Sequence, residues 1–544
     1  MSAEAPAADI FAAPHRTRSA RPRPSVLTWG AMAAALLAVL PLLAVVAIAV
    51  FGGEARASAW PLVLRYAANS AVLALAVGVG AGVLGSLAAW LVVMHRFPGR
   101  DLFAWALALP LAAPAFALAY AYADLFDVAG PVRTALRSVL GFDAGFLEMR
   151  GLGGAAFVLS AAFYPYVYLT ARAAFVNQSV CALEAARTLG CSQAQAFWRV
   201  ALPLARPAIA AGVALAVMET LADYGAVSFL SVQTLTTGVV RAWSVYGSLV
   251  AAARLSLLLL GAAAVLLWIE RANRKGRGYE AASARWRVLP TLQLTGLRAA
   301  GATVFCLLLL AVGLLLPAAW LAFRGLEAAP EAGRLLRAAV SSLGLAATAA
   351  VLTVGLATVI AFGARRHPLA ARVASLGYAT PGAVMAVGLL APAGVLWRGV
   401  EGAVSGVGVG LGLLIYAYAA RLMASALEPI DSGLARITPS MWRAARTLGE
   451  DELGSVRRVH LPIAKGALVT AALLVFVDVL KELPATLILR PFDFDTLAVL
   501  SDYYAGDERL AQAAWPALAI VLVALVPVIV LTRRVAASRP GAPA

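Results

Sequence analysis

Charge is what this chain has little of. Asp, Glu, Lys and Arg make up only 13% of its 544 residues, about half the share in a soluble globular chain. With 62% hydrophobic residues and a mean hydropathy of +0.85, a soluble enzyme is excluded. Cysteine is scarce as well: Cys181, Cys191 and Cys306 are an odd number without C-x-x-C spacing, so they imply no disulfide framework. Histidine amounts to four residues, at 15, 95, 367 and 460. All four fall between apolar runs and beside basic residues, where surface or interface roles are expected before metal ligation. No sequence of the form G-x-x-x-x-G-K-[ST] occurs, so the chain lacks the usual phosphate cradle and is not expected to hydrolyse ATP. Nor does any catalytic constellation stand out. The 46 glycines and 28 prolines follow no period, which excludes collagen-like and disordered chains.

What is present is apolar length. Residues 26–51 form an uninterrupted run, which as a helix reaches about 39 Å, more than the roughly 30 Å hydrocarbon core requires. A cleavable signal would have a shorter apolar centre and a small-residue cleavage site, so this run reads as a retained first span. Further apolar stretches lie near 66–94, 102–123, 152–176, 208–230, 248–269, 299–323, 338–362, 373–397, 403–427, 467–489 and 511–532. The expectation is an all-α polytopic membrane protein of about twelve transmembrane helices. A polar, basic segment at 271–298 divides it into a tail (1–25), a first half (26–270), a linker (271–298), a second half (299–535) and a C-terminal tail (536–544). Alternating the loops places 30 of the 44 Lys and Arg on one side, which by the positive-inside rule makes both termini cytoplasmic. The net charge of +16 is explained by the same bias. No basic run interleaves with aromatics, so nucleic acid is not an expected partner; membrane lipid is.

The halves repeat one another. Glu184-Ala-Ala-Arg-Thr-Leu-Gly190, followed by Leu202-Pro203, recurs as Arg443-Ala-Ala-Arg-Thr-Leu-Gly449, followed by Leu461-Pro462, at a constant offset of 259. At the same offset Glu219 falls on Asp478 and Asp223 on Glu482; earlier in the chain, at a larger offset, Asn69-Ser70 sits opposite Ser341-Ser342. An even span number per half keeps the two copies parallel. Each motif predicts a helix, a bend at its glycine and a second short helix starting at Leu-Pro. Loop solubility alone gives no reason for the same spacing to appear twice.

The motif resembles the EAA coupling loop of ABC importer permeases, which docks into a groove on a separate ATPase subunit. The resemblance implies that Glu184, Ala185, Ala186, Gly190, Leu202 and Pro203, with Arg443, Ala444, Ala445, Gly449, Leu461 and Pro462, form the coupling surface, Glu184 making a polar contact. The first copy also carries Phe197 and Pro207; the second has Arg443 for Glu, Val456 for Phe197 and Gly466 for Pro207. Lys481-Glu-Leu-Pro-Ala-Thr-Leu-Ile-Leu-Arg-Pro-Phe-Asp-Phe-Asp-Thr-Leu497, Leu221-Ala-Asp-Tyr-Gly-Ala226 and Thr236-Thr-Gly238 are similar to the fused permeases of ferric-iron importers. That resemblance implies a bacterial inner-membrane location, a periplasmic ferric-iron binding protein and a cytoplasmic ATPase dimer that uses the ATP. No cofactor is implied on this chain. Thiamine importers share the fused layout, and an ion-coupled secondary transporter is the alternative of another class.

Intramembrane carboxylates are the informative polar residues. Glu219 and Asp223, and their counterparts Asp478 and Glu482, are each four apart and so predicted on one helix face. An ionised carboxylate at that depth is costly unless paired or hydrated. The four therefore suggest either a shared polar path, suited to a hard cation, or salt bridges with Lys481, Arg241, Arg254 or Arg490. Acids in the outer segments (Asp124, Asp127, Asp143, Glu148, Asp493, Asp495, Asp502, Asp507, Glu508) dock a binding protein or are solvated. Tyrosines 164, 166 and 168 beside Pro165 read as helix packing, and glycines 78, 80, 82 and 85 as close helix contact.

Overall fold

The computed structural model describes residues 26–53, 60–141, 145–176, 188–274, 292–365, 369–374, 377, 380–400, 406–435 and 437–537. In hydrocarbon every backbone N–H and C=O must be satisfied internally, so long apolar runs become helices. Ten described helices have the length and apolarity to cross a membrane. The other two expected spans differ. The 102–123 stretch forms Arg100–Ala112 and Ala115–Leu125, bent 90° from one another. Ala113 is extended (ψ 129°) because it precedes Pro114, and the residue before a proline is pushed out of the helical region. The 373–397 stretch gives Leu369–Ala374 and Gly382–Val400, whose apolar part, Gly382–Gly394, is too short to span alone. It too starts after a proline, Pro381. Among the described residues ten helices are thus long and apolar enough to span, or eleven with the bent pair taken as one.

The repeat extends to single hydrogen bonds. Leu202–Ala222 matches Leu461–Leu480, Gly225–Phe229 matches Pro484–Leu489, and Leu235–Ser244 matches Leu497–Gly506. Thr234 and Thr496 cap the last pair, their side chains accepting from Thr237 N and Val499 N. Ser70 Oγ accepts from Leu235 N at 2.9 Å, and Ser342 Oγ from Leu497 N at 2.7 Å.

The halves are interlocked rather than side by side. Val26–Phe51 packs mainly on Ala332–Ala364 and Gly382–Val400 of the second half. Its backbone comes so close that a Cβ on Gly388 would lie 2.1 Å from the Pro41 carbonyl. Conversely, the Gly296–Gly325 span packs on the first half, where Tyr122 donates to the Val312 carbonyl at 2.5 Å and Trp320 Nε1 to Asp124 at 2.8 Å. The first helix of each half is therefore held by the other. The predicted small-residue contact is also present: a Cβ on Gly85 would sit 2.7 Å from the Tyr164 carbonyl.

Candidate translocation site and coupling loops

Glu184, Ala185 and Ala186 lie outside the described residues; Gly190, Leu202 and Pro203 of the first loop and Arg443, Ala444, Ala445, Gly449, Leu461 and Pro462 of the second are described. Gly190 and Gly449 take φ of 83° and 86°, a left-handed bend that L side chains rarely adopt. Immediately before each bend a leucine projects outward, Leu189 at 84% and Leu448 at 83% exposure. After the first bend, Ser192 and Gln195 form reciprocal bonds, Ser192 N to Gln195 Oε1 at 2.9 Å and Gln195 N to Ser192 Oγ at 3.3 Å.

In the second copy Arg443 and Ala444 lie on the exposed side of the Pro439–Thr447 helix, while Ala445 is buried. Trp442 stacks on His460 with centroids 4.2 Å apart, and Phe362 lies on the same imidazole at 5.9 Å. Both described histidines are buried, contrary to the surface placement expected, because each is covered by aromatic rings: His460 by these two and His95 by Trp90. Burial holds the His95 imidazole below its ordinary pKa, against the opposing pull of backbone hydrogen bonds with Trp90 and Leu91.

Leu202-Pro203 and Leu461-Pro462 do not open separate short helices as expected. They continue π-helical turns, Phe197–Ala201 and Val456–His460, directly into the long spans. A wider turn relieves the clash that a proline ring would make with the preceding carbonyls.

The carboxylates separate into two kinds. The Leu202–Ala222 helix ends before Asp223, which is extended (ψ 135°); the Leu461–Leu480 helix likewise ends before Glu482, with Lys481 at its C-cap. The four-residue spacing therefore does not keep each pair on one helix face, because the backbone turns between its members. Asp223 instead accepts from Val227 N at 3.0 Å. Glu482 accepts from Ala485 N and Thr486 N, both at 3.2 Å. Both carboxylates thus hold the short helix that follows.

Glu482 is buried and ion-paired to Arg421 at 3.0 Å. A Cβ on Gly382 would lie 2.1 Å from Glu482 Oε1, so only glycine leaves room for this pair. Asp478 pairs with Lys481 at 3.2 Å. Glu219 has no hydrogen bond or ion pair among the described residues, yet lies within the electrostatic reach of Arg421, Asp478, Lys481 and Glu482. Glu219, Asp478 and Glu482 are thus gathered from both halves around two cations, with Asp223 coupled to Glu219.

Sequence reading missed Arg421. It falls near the end of the 403–427 apolar stretch and lies inside the Gly406–Leu434 helix. A lone Arg in the apolar run Leu413-Leu-Ile-Tyr-Ala-Tyr-Ala-Ala-Arg421 was the available signal. The expected partners were also reassigned. Lys481 pairs with Asp478, Arg490 with Asp495, and Arg254 donates to the Ala49 and Gly53 carbonyls at 3.3 and 2.7 Å.

Of the outer acids, Asp124 is held by Arg324 at 3.1 Å, Asp495 by Arg334 at 3.1 Å, and Asp502 by the Tyr120 hydroxyl at 3.3 Å. Asp127, Glu148, Asp493, Asp507 and Glu508 are exposed, and Asp143 lies outside the described residues. Tyr164 and Tyr168 are packed inside, Tyr168 donating to the Ala104 carbonyl at 2.9 Å. Among the described residues no three His, Cys, Asp or Glu are grouped to cage a metal ion.

The family model described as binding-protein-dependent transport system inner membrane component matches residues 81–275 and again 343–541. The chain belongs to this family. The double match coincides with the internal repeat. The Fe(3+)-transport system permease protein FbpB 2 of Haemophilus influenzae is 25% identical over 480 residues, covering 87% of this chain and 90% of that protein. The molybdenum transport system permease protein ModB of Escherichia coli is 30% identical over 204 residues, 36% of this chain and 87% of ModB. The sulfate transport system permease protein CysT of Salmonella typhimurium is 35% identical over 156 residues, 28% of this chain and 52% of CysT. This permease is a multi-pass inner-membrane subunit of an ABC importer, which works with an ABC ATPase and a substrate-binding protein. A self-sufficient secondary transporter is set aside by that membership.

Proposed function

We propose that this permease carries ferric iron, delivered by a periplasmic binding protein and driven by a cytoplasmic ATPase dimer. The observation that carries the reading is the likeness to the Fe(3+)-transport permease, which runs through both halves. The site chemistry supports it. Ferric ion is hard and prefers oxygen ligands, and Glu219 from one half and Asp478 from the other are the carboxylates not sealed into the backbone. Glu482 and Asp223 keep the short helices beside them in place.

In this reading both termini and both coupling loops face the cytoplasm, in line with the positive-inside distribution of basic residues. The ATPase grips the loops around Gly190 and Gly449, with Glu184 as a polar contact in the first and Arg443 in its place in the second. ATP is hydrolysed on the partner, since this chain has no phosphate-binding loop.

A second reading, an oxyanion importer, is favoured by Arg421 and Lys481 at the same site and by the sulfate and molybdenum relatives.

Radiolabelled uptake in cells lacking the chain separates the two. Complementation with wild type is expected to restore ferric-iron uptake, and Glu219→Gln with Asp478→Asn to abolish it at normal membrane abundance. Restored sulfate, molybdate or thiamine uptake without iron uptake would reassign the cargo.

A further inference from the structure

The two ion pairs of the site are built differently. The cations are alike, Arg421 17% and Lys481 19% exposed, and the acids are not: the Glu482 side chain is 1% exposed, accepts from two backbone amides and lies against Gly382. Asp478 is open, its side chain 34% exposed. Lys481 also reaches across to the first half, donating to the Leu111 carbonyl at 3.3 Å in the bent segment. Beside this open pair stands Glu219, without an ion-pair partner among the described residues. The duplication adds a further contrast. Both acids have acidic counterparts, but the residue 259 positions before Lys481 is Ala222.

We propose that Lys481 is the resting counter-ion of the translocation path, neutralising Asp478 while no cargo is present and displaced when a cationic cargo passes between Glu219 and Asp478. This rests on the cargo being a cation, as proposed above. Physically, a bare carboxylate in a low-dielectric span is costly, and a tethered ammonium removes that cost between transport cycles. A trivalent ion outcompetes one ammonium, because Coulomb attraction scales with charge. Lysine suits the task as a compact charge on a flexible stem, whereas arginine is pre-organised for fixed bidentate pairing. Because the ammonium is tethered, it returns at high effective concentration and prevents the cargo from lingering. The Leu111 contact crosses between halves, so relative movement of the halves breaks it and leaves the Asp478 pair intact.

The test compares wild type, Lys481→Gln, Lys481→Arg and Glu219→Gln in cells lacking the chromosomal copy. Two quantities are read: radiolabelled ferric-iron uptake per chain in the membrane, and iron retained on the full chain after purification. Lys481→Gln is expected to lower maximal uptake about tenfold and raise retained iron about tenfold, the change that loss of one charge pair produces. Lys481→Arg is expected to release iron more freely than Lys481→Gln. Wild-type uptake and unchanged retention in Lys481→Gln would overturn the counter-ion role while leaving iron as cargo. Absence of iron uptake by wild type would overturn the cargo reading itself. Sulfate or molybdate uptake lost in Lys481→Gln but kept in Glu219→Gln would make the lysine an oxyanion ligand, against both. Should Lys481→Gln not accumulate, Asp478→Asn with Lys481→Gln removes both charges; wild-type uptake by that variant would equally overturn the proposal.

Discussion

The first and second halves share their backbone and differ in their charges. Ser70 and Ser342 cap equivalent helices, Gly190 and Gly449 make equivalent bends, and Asp223 and Glu482 hold equivalent short helices. Yet at the shared offset of 259 the second half has Lys481, Arg443 and His460 where the first has Ala222, Glu184 and Ala201. Features that recur satisfy backbone donors and acceptors, a need fixed by the chain path and therefore duplicated with it. Those that differ depend on what faces each half across the interface, and that surface is not duplicated. Joining the halves in one chain means each can meet the other with its own side chains.

The largest effect is expected from proline at the bends of the two loops. Gly190→Pro forces a φ near −65° onto a residue at 83° and is expected to stop uptake while the chain remains inserted, as measured by uptake against membrane abundance. Gly449→Pro is expected to do the same; uptake surviving only in the second variant would show that the loop bearing Arg443 is dispensable for coupling.

Next in size is the cation of the second half. Arg421→Met leaves Glu482 buried without its partner, at a cost of about 3–5 kcal/mol. Ala162→Met in the first half only overfills a packed site, at about 1–3 kcal/mol. Thermal unfolding of the detergent-purified chain reads both, and equal losses would erase the charge asymmetry.

The smallest effect tests the likeness of the halves. Ser70→Ala and Ser342→Ala each remove one acceptor from a buried helix N-terminus and are expected to cost about 1 kcal/mol, matched within a few tenths. Unequal losses in the same unfolding experiment would show that the repeated hydrogen bonds are not energetically equivalent.

Most of the architecture was legible in the residues because membrane helices announce themselves by length and apolarity. The repeat was legible because Gly190 and Gly449, with Leu202-Pro203 and Leu461-Pro462, stand at one offset. Two of the expected spans are broken in a way hydropathy does not register, at Pro114 and before Pro381. The four carboxylates were found as exceptions to an apolar background, but not their roles. Spacing in sequence presumes a continuous helix, and the backbone leaves the helix between Glu219 and Asp223 and between Asp478 and Glu482.

The sequence by itself determined the class, the two halves, the loops and the four carboxylates set among the apolar runs, since each follows from local composition or from self-similarity along the chain. Only the tertiary structure decided that the first helix of each half packs on the other, that Arg421 and not Lys481 neutralises Glu482, and that Glu219 is left without an ion pair beside Asp478. Those outcomes depend on which side chains meet once the helices pack, and the balance of charge in a low-dielectric interior is set by neighbours in space.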